Sequence, residues 1–430
     1  VQASDGSLTS TQAIAVTVTD VANESIIAGT PGNDVLNGTS SDDTFDISAG
    51  GADTVTGGLG NDTILAGAAF SGTDRIDGGT ELDDITERDT LVLNGNYTAG
   101  VTFGASTLVN VESIVVSAGN NYSLTTSDAT VVNATLSIDG SALGSANTLM
   151  VNGSAESEAN SSYFMTGGAG NDSLTGGASW DSFDISFGGN DTISGGGGRD
   201  SIYAGAQLNA GDRIDGGAGI DFVYLNGNYS AGLTFGATTV TNVEVLVTQA
   251  GSSYNLTMSN GTLGAGQQMT IDGFVLGSGN TLTVNAAAET EATASYAFNG
   301  GAGNDRFTGG AGNDILTGNG GNDTLTGGGG NDVFDFNALT DRGTTGDTIT
   351  AFSKTGANGV DVLNLRDLLL TFSGYNGNNA FSGGYLQFDT SSGTGTTVRV
   401  DSNGGGNSYV TLATIVGTAL LQSDTANYVV

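Results

Sequence analysis

Between Gly300 and Asp335 the large apolar residues Phe307, Leu316, Leu325 and Phe334 recur at every ninth position, each two residues after an acid: Asp305, Asp314, Asp323 and Asp332. Gly-rich polar residues fill the intervals. A two-residue step is the period of a strand, so each unit predicts a strand of three residues with its large side chain inward, followed by a turn of six. One unit makes half of a coil. Successive units then lie on opposite sides, and every second unit stacks. Elsewhere Ala15-Val16-Thr17-Val18-Thr19-Asp20 and Asn242-Val243-Glu244-Val245-Leu246-Val247-Thr248 alternate and read as half-buried strands, while nothing comparable signals a helix. The expected class is all-β and solenoidal.

The chain also repeats itself at long range. Phe45-Asp46-Ile47 returns as Phe183-Asp184-Ile185, and Asp74-Arg75-Ile76-Asp77-Gly78-Gly79 as Asp212-Arg213-Ile214-Asp215-Gly216-Gly217, both 138 positions on. Leu93-Asn94-Gly95-Asn96-Tyr97 returns 132 positions on as Leu225-Asn226-Gly227-Asn228-Tyr229, so six residues around Asp83 to Arg88 are missing from the second copy. Two homologous modules follow. The expected divisions begin with residues 1–24, which resemble the end of a cadherin-like or immunoglobulin-like repeat. A degenerate Gly/Asp block over 25–89 leads into a β-rich solenoid segment over 90–166, and a second block over 167–224 into a segment over 225–298. A third block covers 299–336 and a β-rich tail 337–430.

Composition narrows the chemistry. Gly fills 73 positions and Pro one, with 7% aromatic residues, which argues against one large core and for a repeat that uses Gly at fixed turn positions. The 45 acids against 9 Lys+Arg give a net charge of -36, so nucleic acid and anionic membrane surfaces are repelled. That charge opposes compaction until a cation binds. Cys and His are both absent, which excludes disulfides, thiolate and imidazole metal sites, and cysteine or imidazole catalysis. Hard oxygen ligands remain, and they suit calcium. No apolar run is long enough for membrane insertion. The chain opens at Val1-Gln2-Ala3 without an initiator Met or a basic-then-apolar leader, and reads as a fragment of something longer whose export is directed from the other end.

The unit Gly-Gly-x-Gly-x-Asp-x-apolar-x, as in Gly300-Gly301-Ala302-Gly303-Asn304-Asp305-Arg306-Phe307-Thr308, resembles the repeats-in-toxin (RTX), or haemolysin-type, calcium-binding nonapeptide. The resemblance implies a calcium-binding parallel β-roll holding several Ca²⁺ ions. Each ion would take backbone carbonyls and the Asp of one turn together with those of the turn two units on. Carried onto this chain, it implies one ion at Gly301, Gly303 and Asp305 with Gly318, Gly320 and Asp323, and a second at Gly310, Gly312 and Asp314 with Gly327, Gly329 and Asp332. In the middle block it places Gly168, Gly170 and Asp172 against Ser186, Gly188 and Asp191, and Gly177, Ser179 and Asp181 against Gly195, Gly197 and Asp200. The first block keeps Asp34, Asp43, Asp53 and Asp62 but carries Thr30, Thr39, Ser41, Ser48 and Ala49 at turn positions. In the first two blocks one spacing stretches to ten residues, leaving Ile47 or Ile185 as an expected bulge. Of the edge acids Asp74, Asp83, Asp212 and Asp221, Asp221 is included among the ligands.

The tail, with Gly346-Asp347-Thr348-Ile349-Thr350-Ala351-Phe352, Val360 to Leu369, and closing strands at Thr397 to Asp401 and Val410 to Leu412, resembles the C-terminal targeting domain of type I secreted proteins. It implies a type I exporter as partner and a secreted, extracellular chain, with cell-surface attachment a further expectation. The leading functional expectation is a non-enzymatic structural or adhesive module of a surface protein. Its alternatives are the non-catalytic tail of a secreted hydrolase or polysaccharide-modifying enzyme, and a carbohydrate-binding module. Surface glycans and self-association are the candidate further partners. No carboxylate pair stands apart from the metal register, so no catalytic residue is assigned. Trp180, Tyr97, Tyr229, Tyr203 and Tyr224 read as core or rung-stacking aromatics, with a glycan platform as the alternative. The pairs Glu156/Glu158 and Glu289/Glu291 read as solvated charge, with capping of a block's first ion as the alternative.

Overall fold

A computed structural model describes residues 26–79, 88–128, 130–131, 134–356 and 358–430. The expected strand at Ala15 to Asp20 and Asp83 lie outside the described residues. The chain divides into two compact units, one holding the described part of residues 1–202 with 217–219, the other 203–216 and 220–430. Each is a parallel β-solenoid.

The third block shows how the sequence makes the coil. Strands Arg306–Thr308, Ile315–Thr317, Thr324–Thr326 and Val333–Asp335 each bury their middle residue, and Phe307, Leu316, Leu325 and Phe334 are fully enclosed. Pairing skips one unit: Phe307 lies beside Leu325 and Leu316 beside Phe334, both in parallel register. A three-residue strand cannot stand alone, so its backbone donors and acceptors are satisfied only by the units above and below.

Between the blocks the strands lengthen and carry two or three inward residues each. Tyr122–Thr126 and Tyr254–Met258 share one burial pattern, as do Tyr97–Phe103 and Tyr229–Phe235, which is the modular repeat seen in three dimensions. Inward rings stack from coil to coil, Tyr97 on Tyr122 at 5.7 Å and Tyr229 on Tyr254 at 5.9 Å. Their hydroxyls end on carbonyls of neighbouring strands, Tyr122 on Leu93 and Tyr254 on Leu225, both at 3.0 Å, so each ring finds a hydrogen-bond partner in the core. Tyr97 and Tyr229 are therefore core residues. Trp180 and Tyr203 are exposed, and Tyr203 stacks along the coil face on Tyr224 at 4.9 Å.

The expected bulge at Ile47 and Ile185 does not form. Both side chains are buried, and the adjoining strands pair without a register shift. Ile47 lies two residues beyond the buried Phe45, so the strand period turns the tenth residue inward and the half-coil simply grows by one apolar side chain.

The coil continues past the third block. Asp347–Thr350 pairs in parallel with Thr324–Thr326, and Val362–Asn364 with Val333–Asp335. Val410–Val416 then lies parallel to Asp347–Thr350 and antiparallel to Gly395–Val400, which pairs antiparallel with Leu386–Asp389. Only this closing sheet departs from parallel pairing among the described strands. A five-residue helix, Arg366–Leu370, buries Leu368 and Leu369 and was not signalled by the sequence pattern because it spans little more than one turn. No helix among the described residues is long and apolar enough to cross a membrane.

Candidate metal centre

Each Gly-rich turn lies on the turn two units along. In the third block the N–H of Gly320 reaches the Gly301 carbonyl at 3.0 Å and that of Gly329 reaches Gly310 at 2.9 Å. A Cβ on Gly321 would collide with the Gly303 carbonyl, and one on Gly330 with that of Gly312. Only Gly permits backbones to approach this closely. The same stacking brings the turn ending at Asp172 against the one ending at Asp191 through Gly170 and Gly189, and that ending at Asp181 against Asp200 through Gly177 and Gly196. In the first block it joins Gly32 to Gly51 and Thr39 to Gly58.

The acids form a ladder that runs with the stacking. Oδ1 of Asp323 accepts the N–H of Asp305 at 2.7 Å, and Oδ1 of Asp332 that of Asp314 at 3.0 Å. In the second block Asp191 accepts from Asp172 at 2.9 Å and Asp200 from Asp181 at 2.7 Å. In the first, Asp53 accepts from Asp34 at 2.9 Å and Asp62 from Asp43 at 2.8 Å. Every expected pair of turns is thus brought together.

Within a block the acids divide into two kinds. The opening pair have their second oxygen held by their own turn: Gly301 N–H donates to Asp305 at 2.7 Å, Gly310 to Asp314 at 2.8 Å, Gly168 to Asp172 at 2.6 Å and Gly177 to Asp181 at 2.7 Å. In the first block Thr30 and Thr39 add their hydroxyls to this contact, at 2.9 and 3.0 Å to Asp34 and Asp43. These Thr side chains saturate carboxylates that a Gly would leave freer. By contrast, Oδ2 of Asp53, Asp62, Asp323 and Asp332 is buried without any hydrogen-bond partner.

An unpartnered buried carboxylate oxygen is costly. Burial pushes Asp323 up to about 9 and Asp62 and Asp332 up to about 7, against an ordinary value of 3.8, with neighbouring acids adding to the rise. Asp181 is raised to about 7 and Asp305 and Asp314 to about 6, again chiefly by burial. A proton relieves this penalty by neutralising the carboxyl, and a divalent cation relieves it while the carboxylate stays ionised. Among the described residues no three His, Cys, Asp or Glu gather into one metal cluster, so a metal held here would draw its remaining donors from backbone carbonyls. A carbonyl such as Gly301 that already accepts one N–H retains a second lone pair. All-oxygen donors of this kind fit calcium.

The ladder also holds acids beyond those expected. Asp89 accepts the N–H of Asp62, Asp347 that of Asp323 and Asp361 that of Asp332. Glu112 and Glu244 accept from Asp89 and Asp221 in the same way, both at 2.8 Å. The signal was the acid-x-apolar step, present in Asp89-Thr90-Leu91, Asp347-Thr348-Ile349 and Asp361-Val362-Leu363. Of the edge acids, Asp74, Asp212 and Asp221 are all buried.

Glu156 and Glu289 are not solvated, contrary to expectation. Both are buried, and Gly177 and Gly310 of the overlying turns lie against them. Glu289 accepts the N–H groups of Gly261 at 3.0 Å and Leu263 at 3.3 Å, tying its turn to the preceding coil. Glu158 remains exposed and Glu291 half-exposed.

Stacked acid-bearing glycine turns on a parallel coil define a calcium-binding β-roll. A family model described as RTX calcium-binding nonapeptide repeat (4 copies) matches residues 25–50, 47–85, 164–184, 185–207 and 299–334, so the chain carries RTX repeats in these stretches, repeats that bind Ca²⁺ at multiple sites. No curated protein matches the chain.

Proposed function

We propose that the chain is a calcium-folded extracellular module with a structural or adhesive role, exported by a type I secretion system, and that its stacked pairs of acid-bearing turns hold its ions. The carrying observation is the set of buried, unpartnered carboxylate oxygens on Asp53, Asp62, Asp323 and Asp332, each on a turn that stacks in register on another. A chain of net charge -36 that needs a cation to close its coils stays expanded where calcium is scarce and folds where it is abundant. That order of events suits passage through an exporter before folding.

The tail is read as the export address. Removing residues 337–430 is expected to abolish secretion by a co-expressed type I exporter, scored as protein in the medium. Secretion at the level of the complete chain overturns the assignment.

A further inference from the structure

We propose that Asp323 and Asp347 together hold a further calcium ion, between the last turn of the third block on that side and the first turn of the tail. Its second carboxylate, Asp347, lies beyond the residues matched by the repeat model, which end at 334. It rests on the calcium reading of the roll and extends it to a turn without the glycine motif.

Three observations carry it. First, the tail turn stacks as the repeat turns do: a Cβ on Gly343 would collide with the Gly321 carbonyl, just as one on Gly321 would with Gly303. The strands that follow stay in register, Leu325 beside Ile349 as Phe307 is beside Leu325. Second, Asp347 Oδ1 accepts the Asp323 N–H at 2.9 Å, repeating the bond from Asp305 to Asp323. Third, Oδ2 of Asp323 and Oδ2 of Asp347 are both buried and both without a partner, and each residue is only 1% exposed. Two such oxygens on adjacent stacked turns place a net negative, unsatisfied pair in the interior.

Other ladder ends show that this need not be so. Asp361 closes the opposite side of the same block, and its Oδ2 accepts the N–H of Ser353 at 2.7 Å. Asp74 ends a ladder in the first block, and Ser71 N–H fills its Oδ2 at 2.8 Å. No side-chain cation forms a direct ion pair with Asp347, although Arg342 is near enough to favour its charge. Arg342 donates to the carbonyls of Thr411 and Thr344, and the ion pairs among the described residues are Lys354 with Asp424 and Arg399 with Asp389. Asp341, also buried, adds acidity nearby while its own Oδ2 accepts from Asn337 and Ala338. The ion would pin the tail to the roll, so that tail and array fold as one calcium-dependent body.

Bound calcium is counted by native mass spectrometry on the 430-residue chain at saturating calcium. Asp347→Asn is expected to bind one ion fewer than wild type, and Asp367→Asn, at an exposed acid of the short helix outside the ladder, the wild-type number, with unchanged strand circular dichroism in both. An undiminished count in Asp347→Asn, or an equal loss in Asp367→Asn, overturns the proposal. A wild-type chain that binds no calcium overturns the reading of the roll itself. A readout free of substitution is hydrogen exchange at the Asp323 amide, whose acceptor is Asp347: protection is expected to rise with calcium, and protection indifferent to calcium overturns the site.

Discussion

Calcium-stripped protein at pH 8 is expected to lose most of its strand circular-dichroism signal and to regain it cooperatively in millimolar calcium. Extracellular calcium modules bind at about 10⁻⁴ to 10⁻³ M, and an ion held at about 10⁻⁴ M contributes about 2.7 kcal/mol per site when calcium is a hundredfold higher. Several such sites amount to the whole stability of an ordinary domain. Cooperativity follows from the ladder, because Asp323 is both the acceptor for the turn below and the donor to Asp347 above.

Acidity should act on the stripped chain in the same direction as calcium, because a proton also relieves a buried carboxylate. The folded-state values of Asp305, Asp314, Asp332, Asp347 and Asp323, about 6, 6, 7, 8 and 9, all lie above the ordinary 3.8. The calcium-free roll therefore binds more protons than the unfolded chain, and its stability is greatest below about pH 4 and is lost as pH rises through 6 to 9. Calcium needs the ionised forms, so its affinity should climb over that same window. Stripped protein is thus expected to gain strand signal when taken from pH 8 to pH 5. A stripped chain equally folded at both pH values contradicts this account of the buried acids.

Gly321→Ala is expected to be the most damaging single methyl in the third block. Gly321 has φ of +122°, and its added Cβ would collide with the Gly303 carbonyl of the stacked turn. Backbone held in such a region costs a side chain about 1–3 kcal/mol before any collision. The turns must also separate, which would spread the carbonyls proposed to hold the ion. A calcium midpoint raised about 10-fold to 100-fold is expected, with the lower figure set by strain alone at about 1.4 kcal/mol per tenfold. Gly279→Ala is the control, since that glycine has open space at its Cβ and no positive φ, and it should leave the midpoint unchanged. Equal midpoints for the two variants would show that close turn stacking does not govern the sites.

The third block was legible because each structural requirement has its own residue type: Gly where backbones touch, Asp where the ladder turns, and a large apolar residue two positions later. What escaped notice kept the chemistry but lost the spacing. Asp62 to Asp89, Asp323 to Asp347 and Asp332 to Asp361 are separated by 27, 24 and 29 residues, so a nine-residue period does not find them, although each retains the acid-x-apolar step. Ile47 and Ile185 look surplus to the turn in sequence because each is a tenth residue, whereas strand alternation recruits it to the core. Glu156 and Glu289 look like solvated acids in sequence, and only the turn folded over each buries it. Tyr97 and Tyr229 carry no sequence mark distinguishing them from the exposed Tyr203, since the difference lies in which face of the coil each occupies.

Calcium is expected to lie between stacked turns two units apart, and anomalous diffraction from crystals grown in calcium tests this most directly. Peaks are predicted between the turns ending at Asp305 and Asp323, and between those ending at Asp314 and Asp332. Calcium found only at exposed surface acids, with those two positions empty, would contradict it.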